Sequence, residues 1–302
     1  MKQSNEKSSI TAHIVNGFVQ NGAGGNPAGV VLDADGLSDA QMLAVAKNIG
    51  ASETAFVSRS ATEGFKLDFF TPNRRIAHCG HATIATFSYL AEIGRVPEGV
   101  TSKETVDGPR KIIIEGGAAF MEQLAPRYSS APDWQAAGIS EADVLASLGL
   151  AADDLDPRAL PTLVNTGNSF MVVGVKTGET LRALTPDLKA IERISDALDL
   201  IGYYVFTTDH AATSKHATTR MFAPRYAIDE EAATGMAAGP LACLLFDRLD
   251  AKTQRLEIEQ GHFMTPTSPS LITVDLSVTD GRITGLMAGG YGKSMKTLQV
   301  EI

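Results

Sequence analysis

The chain repeats one plan twice, and this repetition constrains its fold more than any other feature. Gly25-Asn26-Pro27-Ala28-Gly29-Val30-Val31 in the first half answers to Gly167-Asn168-Ser169-Phe170-Met171-Val172-Val173 in the second. A helical pattern opens after Leu37 with Ser38 as N-cap and runs through Met42, Leu43, Val45, Ala46 and Ile49. Its counterpart opens after Leu184, with Thr185 as cap and Pro186 at the first helical position, and runs through Leu188, Ile191 and Ile194. Phe70-Thr71-Pro72 leading to Ile76 then corresponds to Phe222-Ala223-Pro224 leading to Ile228. Finally Gly80-His81-Ala82-Thr83-Ile84-Ala85 corresponds to Gly235-Met236-Ala237-Ala238-Gly239-Pro240. Four correspondences in one order, at a slowly growing offset, mark a duplication.

Each half reads as strand, turn, strand, helix, two strands and a second helix. Val30 to Leu32 and Met171 to Val173 are apolar runs of strand length, and Phe65 to Phe70 alternates as a half-buried strand does. The second helix of each half, near 81–93 and 236–249, is apolar almost all round, so each is expected inside its own domain. Pro126 and Ser129-Ser130-Ala131-Pro132 break the pattern between the halves. The reading is therefore α+β, with an N-terminal domain over 1–125 and a C-terminal domain over 126–302. No βαβ alternation dominates.

Composition limits the function. A chain of 302 residues with 44% apolar and 20% charged residues buries a sizeable core. Lysine and arginine total 26 against 35 acidic residues, a net charge of -9, with no basic run to offset it; nucleic acid is excluded as a partner. Two cysteines, Cys79 and Cys243, make no disulfide framework. The polar start of the chain has no hydrophobic signal core, and no apolar run approaches the ~20 residues that span a bilayer. A cytoplasmic protein without membrane contact is expected.

Several motifs carry chemistry. Gly22 to Gly29 invites a dinucleotide reading, but Pro27 sits where a third glycine belongs and a strand follows, so it reads as a glycine-rich turn. The two glycine-to-helix junctions, at Gly80 and Gly235, each offer unpaired N–H groups and the positive end of a helix dipole to an anion. If the two halves face one another, both helix ends converge on one cleft. Glu53 lies between the first helix and an apolar strand, where partial desolvation suits a carboxylate to proton transfer. His81, at the start of the buried helix, is placed to orient or relay a proton. One of Glu230 and Glu231 is placed to look toward the same cleft. Cys79 has no second thiol to face across a substrate carbon, because Cys243 falls mid-helix; a buried, inert thiol is expected. His78 with His81 is poor metal geometry, and no metal is expected.

Taken together, Gly25-Asn26-Pro27-Ala28, Ser52-Glu53-Thr54, Phe70-Thr71-Pro72 and Cys79-Gly80-His81-Ala82-Thr83 resemble the phenazine-biosynthesis isomerase (PhzF-like) family. The second half agrees through Arg220-Met221-Phe222, Ala233-Thr234-Gly235, Ala237 to Leu241, and Gln260-Gly261. The resemblance implies the diaminopimelate-epimerase-like fold: two pseudo-symmetric domains, each a β-roll wrapped around a central helix, with the site between them. It also implies a cofactor-independent isomerase and homodimer acting on a small, carboxylate-bearing, unsaturated metabolite. By it, Glu53 is the acid/base group, assisted by His81 and Glu231. Gly80 and Gly235 hold the carboxylate, and Ser52, Asn26, Thr234 and Met236 line the substrate. Glu231 stands where the family usually has aspartate, and Met236 where it has serine, so a different substrate is expected. The alternatives are a single-cysteine epimerase or dehydratase related to proline racemase and using Cys79, and a non-catalytic relative that binds a metabolite.

Overall fold

The computed structural model describes residues 9–301 and divides into two compact units. Of the described residues, one comprises 9–22, 26–121 and 290–301; the other comprises 23–25 and 122–289.

In the first unit, β1 (Ser9–Gly17) and β2 (Asn26–Val31) run antiparallel, with Gly17 opposite Asn26. Helix α1 (Asp39–Ile49) is capped by Ser38 as the sequence predicts. The Ser38 hydroxyl accepts from the Gln41 N–H, while Gln41 Oε1 accepts from the Ser38 N–H at 3.0 Å. This reciprocal pair satisfies two otherwise orphaned donors. β3 (Thr54–Ser58) lies parallel to β2 and antiparallel to β4 (Phe65–Phe70), to which the short β5 (Arg75–Ile76) adds. β4 departs from the expected alternation, because Leu67 to Phe70 are all buried. Asp68 is tolerated there because Lys66 and Arg75 both pair with its carboxylate. Helix α2 (Gly80–Glu92) is buried on every side from Gly80 to Leu90, as its uniformly apolar sequence requires. β6 (Gly99–Thr105) continues from β4 in parallel and pairs with β7 (Gly108–Glu115), which pairs with β8 (Ala118–Leu124).

The second unit opens with β9 (Arg127–Ser129), α3 (Ala131–Trp134) and α4 (Glu141–Leu148). β10 (Thr162–Asn165), β11 (Ser169–Gly174), α5 (Gly178–Ala183) and α6 (Leu188–Leu198) follow. The cap of α6 differs from expectation. Asp187, not Thr185, takes the position, its carboxylate accepting from the N–H groups of Lys189 and Ala190 at 3.1 Å each. A carboxylate also suits the positive end of the helix, and Pro186 is left outside. β12 (Gly202–Thr207), β13 (Ala217–Phe222), α7 (Gly235–Arg248), β14 (Arg255–Gln260), β15 (Ser270–Thr279) and β16 (Arg282–Gly290) complete the unit.

The duplication appears pair by pair. β1–β2, β2–β3, β3–β4, β4–β6 and β6–β7 are antiparallel, parallel, antiparallel, parallel and antiparallel. β10–β11, β11–β12, β12–β13, β13–β14 and β14–β15 repeat that order. In each unit the buried helix packs inside these strands, α2 against β1, β2, β3 and β7, and α7 against β10, β11 and β15. The last strand, β17 (Gly292–Glu301), returns to the first unit and pairs with β1 from Ser9 to Gly17. A pairing so distant in the chain has no local signal in the sequence. Among the described residues, no helix is long and apolar enough to cross a membrane.

Candidate active site

The acid/base candidate of the first unit is set by a close approach of two strands. Gly29 of β2 stands beside Thr54 of β3, and its N–H donates to the Glu53 carbonyl at 2.9 Å. A Cβ on Gly29 would lie 2.5 Å from Thr54 Oγ1, and Thr54 is completely buried, so the approach needs glycine. Glu53 is thereby fixed at the head of β3, with its side chain only 12% exposed. Its Oε2 lies 3.3 Å from Nε2 of His81, on the first turn of α2, whose side chain is 5% exposed. The two atoms are in contact without the alignment of a strong hydrogen bond.

Cys79 adds a third member. Its Sγ lies 3.5 Å from Nδ1 of the same imidazole. Burial pushes the Cys79 thiol up, with the Glu53 charge adding to that, so the sulfur keeps its proton. A protonated thiol that donates to Nδ1 puts the ring hydrogen of a neutral His81 on Nε2, the nitrogen in contact with Glu53. Through this contact the Cys79 thiol favours the Nε2–H tautomer of a neutral His81. The three side chains bring a carboxylate oxygen, a sulfur and a ring nitrogen within 4.8 Å of one another, ligand types that hold a cation. The ring meets Cys79 with one nitrogen and Glu53 with the other.

The start of α2 has the polarity that suits an anion. Cys79 occupies the N-cap of α2 but supplies no side-chain cap, and the first turn carries no acidic residue. The positive helix end and the N–H groups beginning at Gly80 thus suit a carboxylate. Asn26 is buried at the start of β2, and Ser52 is exposed just before Glu53.

The second unit's junction is built differently. Glu230 is taken up by Arg220, whose Nε and terminal nitrogen grip both carboxylate oxygens at 2.8 Å. Arg220 also reaches the carbonyls of Leu181, Arg182 and Leu184, tying α5 to β13. Glu231, the other member of the acidic pair, meets Thr234. The Thr234 hydroxyl donates to its Oε2 and so does not cap α7. Gln260, with no exposure at all, holds this turn together. Its Nε2 donates to the Glu231 carbonyl at 2.7 Å, and its Oε1 accepts from the Thr234 N–H at 3.0 Å and the Tyr204 hydroxyl at 2.9 Å. Met236 meets Asn168 instead, whose Nδ2 lies 3.5 Å from its sulfur. The Gly235 carbonyl accepts from Gln123 at 2.9 Å. Sequence reasoning gave no site role to Gln260, Arg220 or Lys103, because each owes its place to partners far away in the chain.

The model of the family described as phenazine biosynthesis-like protein matches residues 15–290. The chain belongs to that family. It is 32% identical over 277 residues to the uncharacterized isomerase YddE of Escherichia coli O157:H7, covering 89% of this chain and 90% of that protein. It is 30% identical over 264 residues to the trans-2,3-dihydro-3-hydroxyanthranilate isomerase of Pseudomonas aeruginosa, covering 82% of this chain and 84% of that one. Among solved structures it is similar to the Bacillus anthracis phenazine biosynthesis protein of the PhzF family, with a TM-score of 0.86 and 25% identity over 98% of this chain and 100% of that one. The expected diaminopimelate-epimerase-like fold is the fold observed, and the chain is an isomerase of this family.

Proposed function

We propose that the chain moves a proton between carbons of a small, unsaturated, carboxylate-bearing metabolite, without a cofactor, and that Glu53 takes and returns that proton. The contact between Glu53 and His81 carries this reading. A carboxylate withdrawn from water and in contact with an imidazole is an arrangement that suits proton transfer at carbon. The Gly80 end of α2 holds the substrate carboxylate by its N–H groups and dipole, with Asn26 and Ser52 beside the path of the substrate. In the second unit, Glu231 assists proton traffic, and Thr234, Gly235 and Met236 bind substrate. Glu231 is one methylene longer than the family's aspartate and Met236 lacks a hydroxyl, so the preferred substrate is not the dihydrohydroxyanthranilate of the Pseudomonas relative.

The buried, protonated thiol of Cys79 speaks against a cysteine base. Proton NMR in D₂O with a panel of small unsaturated and amino-substituted carboxylic acids tests the proposal. The native protein places deuterium on carbon of at least one member, and Glu53→Gln does not. Equal exchange by both proteins removes Glu53 from the role; binding by both without exchange makes the chain a metabolite-binding relative. The homodimer and the cytoplasmic setting belong to the same proposal, and the mass in solution tests the first.

A further inference from the structure

Lys103 is a lysine with no solvent exposure, in the middle of β6. Burying a long cationic side chain is costly unless its head is used. Here the ammonium nitrogen lies 2.6 Å from Thr83 Oγ1 and 3.2 Å from His78 Nδ1, with the Phe69 ring 5.0 Å away. Among the described residues no carboxylate oxygen is paired with it. The Thr83 hydroxyl has a single hydrogen, and that hydrogen goes to the Cys79 carbonyl at 2.7 Å. Thr83 therefore accepts from Lys103. His78 is driven toward its neutral form by burial and by the charges of Lys103 and Arg110, so Nδ1 is free to accept as well.

The two acceptors flank the Cys79-Gly80-His81 turn. His78 immediately precedes it, Thr83 lies two residues past it and one helical turn from Cys79, and the Cys79 carbonyl is tied in through Thr83. We propose that Lys103 is a positioning residue, whose buried head clasps both sides of this turn from within the core and so fixes the His81 ring between Cys79 and Glu53. The proposal rests on the role given to Glu53 and His81 above, but its central claim concerns the geometry of the turn. The groups that face the lysine are His78 before the helix, Cys79 and Thr83 in its start, Phe69 of β4, Asp107 in the hairpin turn and Arg110 of β7. Burial is the chief influence among them and brings the amine down to about 7. A neutral amine still has two hydrogens for its two acceptors, so the clasp survives loss of the charge.

The test compares the native protein with Lys103→Met, Thr83→Val and Glu53→Gln. Far-UV circular dichroism verifies folding, long-range ¹H–¹⁵N spectra of the histidine rings report tautomers, and deuterium transfer to the carboxylate panel reports chemistry. Native His81 is expected as a single tautomer with hydrogen on Nε2. In folded Lys103→Met it becomes a mixture and the transfer rate falls 10- to 100-fold, since a misplacement of about 1 Å can cost on the order of 10²-fold. If Lys103→Met does not fold, Thr83→Val, which keeps volume and removes the linking hydroxyl, is expected to show the same ring change. A folded variant with native His81 signals overturns the clasp. Should Glu53→Gln exchange as fast as native, the assignment of Glu53 fails while the ring spectra still decide the role of Lys103.

Discussion

Glu53 Oε2 and His81 Nε2 stand 3.3 Å apart, on the head of one strand and the first turn of the buried helix. The two residues are expected to fail unequally. If the carboxylate carries the proton and the imidazole only orients it, Glu53→Gln removes deuterium transfer altogether. His81→Gln keeps a polar partner and costs about 10- to 100-fold, below the roughly 10²- to 10⁴-fold of a direct acid/base group. Glu53→Asp, which withdraws the carboxylate by one methylene, falls between them. Rates for the three variants on the same panel member check the order.

Cys79 is expected to alkylate slowly. Because burial raises its pKa above that of an ordinary thiol, its thiolate fraction at pH 8 is smaller than a free cysteine's and keeps rising above pH 9. Iodoacetamide incorporation against pH, read by mass spectrometry, shows this. Cys79→Ser keeps a donor for His81 Nδ1 and retains most activity, whereas Cys79→Ala frees the ring tautomer and loses up to about tenfold. Complete loss in Cys79→Ser would restore the cysteine epimerase reading.

Lys103 makes stability depend on pH in a definite direction. Its pKa is lowered from 10.5 unfolded to about 7 folded, so the unfolded chain binds the extra proton between these values. Stability therefore rises with pH across that window, by up to about 1.4 kcal/mol per pH unit for this one group. Below pH 7 the full cost of a buried charge is present. The urea-unfolding free energy of the native protein minus that of Lys103→Met should increase from pH 7 to 10. His78 does not disturb the comparison, because its own folded pKa is lowered and its effect lies on the acid side of the window.

The sequence shows much of this because the duplication is written in short, local signals. Ser38 followed by Gln41 marks one helix start, and the uniformly apolar stretches after Gly80 and Gly235 mark the two buried helices. Glu53 and His81 are legible as candidates, because each sits at the junction of a strand or helix with a turn. What stays hidden depends on the far side of a contact. Gln260 looks like any polar residue ending a strand until Glu231, Thr234 and Tyr204 close around it. Lys103, set among Thr101, Ser102, Glu104 and Thr105, reads as part of a solvated strand, and only the approach of Thr83 on α2 gives its buried head a partner. Thr185 lost the α6 cap to Asp187 because a carboxylate two residues on reaches two N–H groups at once.

Gly29 links the sequence motif to the chemistry most directly. The motif keeps a glycine there because β2 and β3 approach so closely that a methyl group would meet Thr54 Oγ1 at 2.5 Å, Cγ2 at 3.0 Å and Cβ at 3.1 Å. Thr54 is fully buried and cannot swing aside, so in Gly29→Ala the strands themselves must separate. Overpacking of this kind costs about 1 to 3 kcal/mol. The strain falls on the hydrogen bond from the Gly29 N–H to the Glu53 carbonyl, which sets the height of the carboxylate. Gly29→Ala is therefore expected to lower the urea midpoint and to slow deuterium transfer more than its stability loss explains. Adding Thr54→Ala removes the two nearest atoms and leaves only the 3.1 Å contact to Cβ. The double variant should recover most of the stability and much of the rate, and full activity in Gly29→Ala alone would show that Glu53 is not positioned through this strand pair.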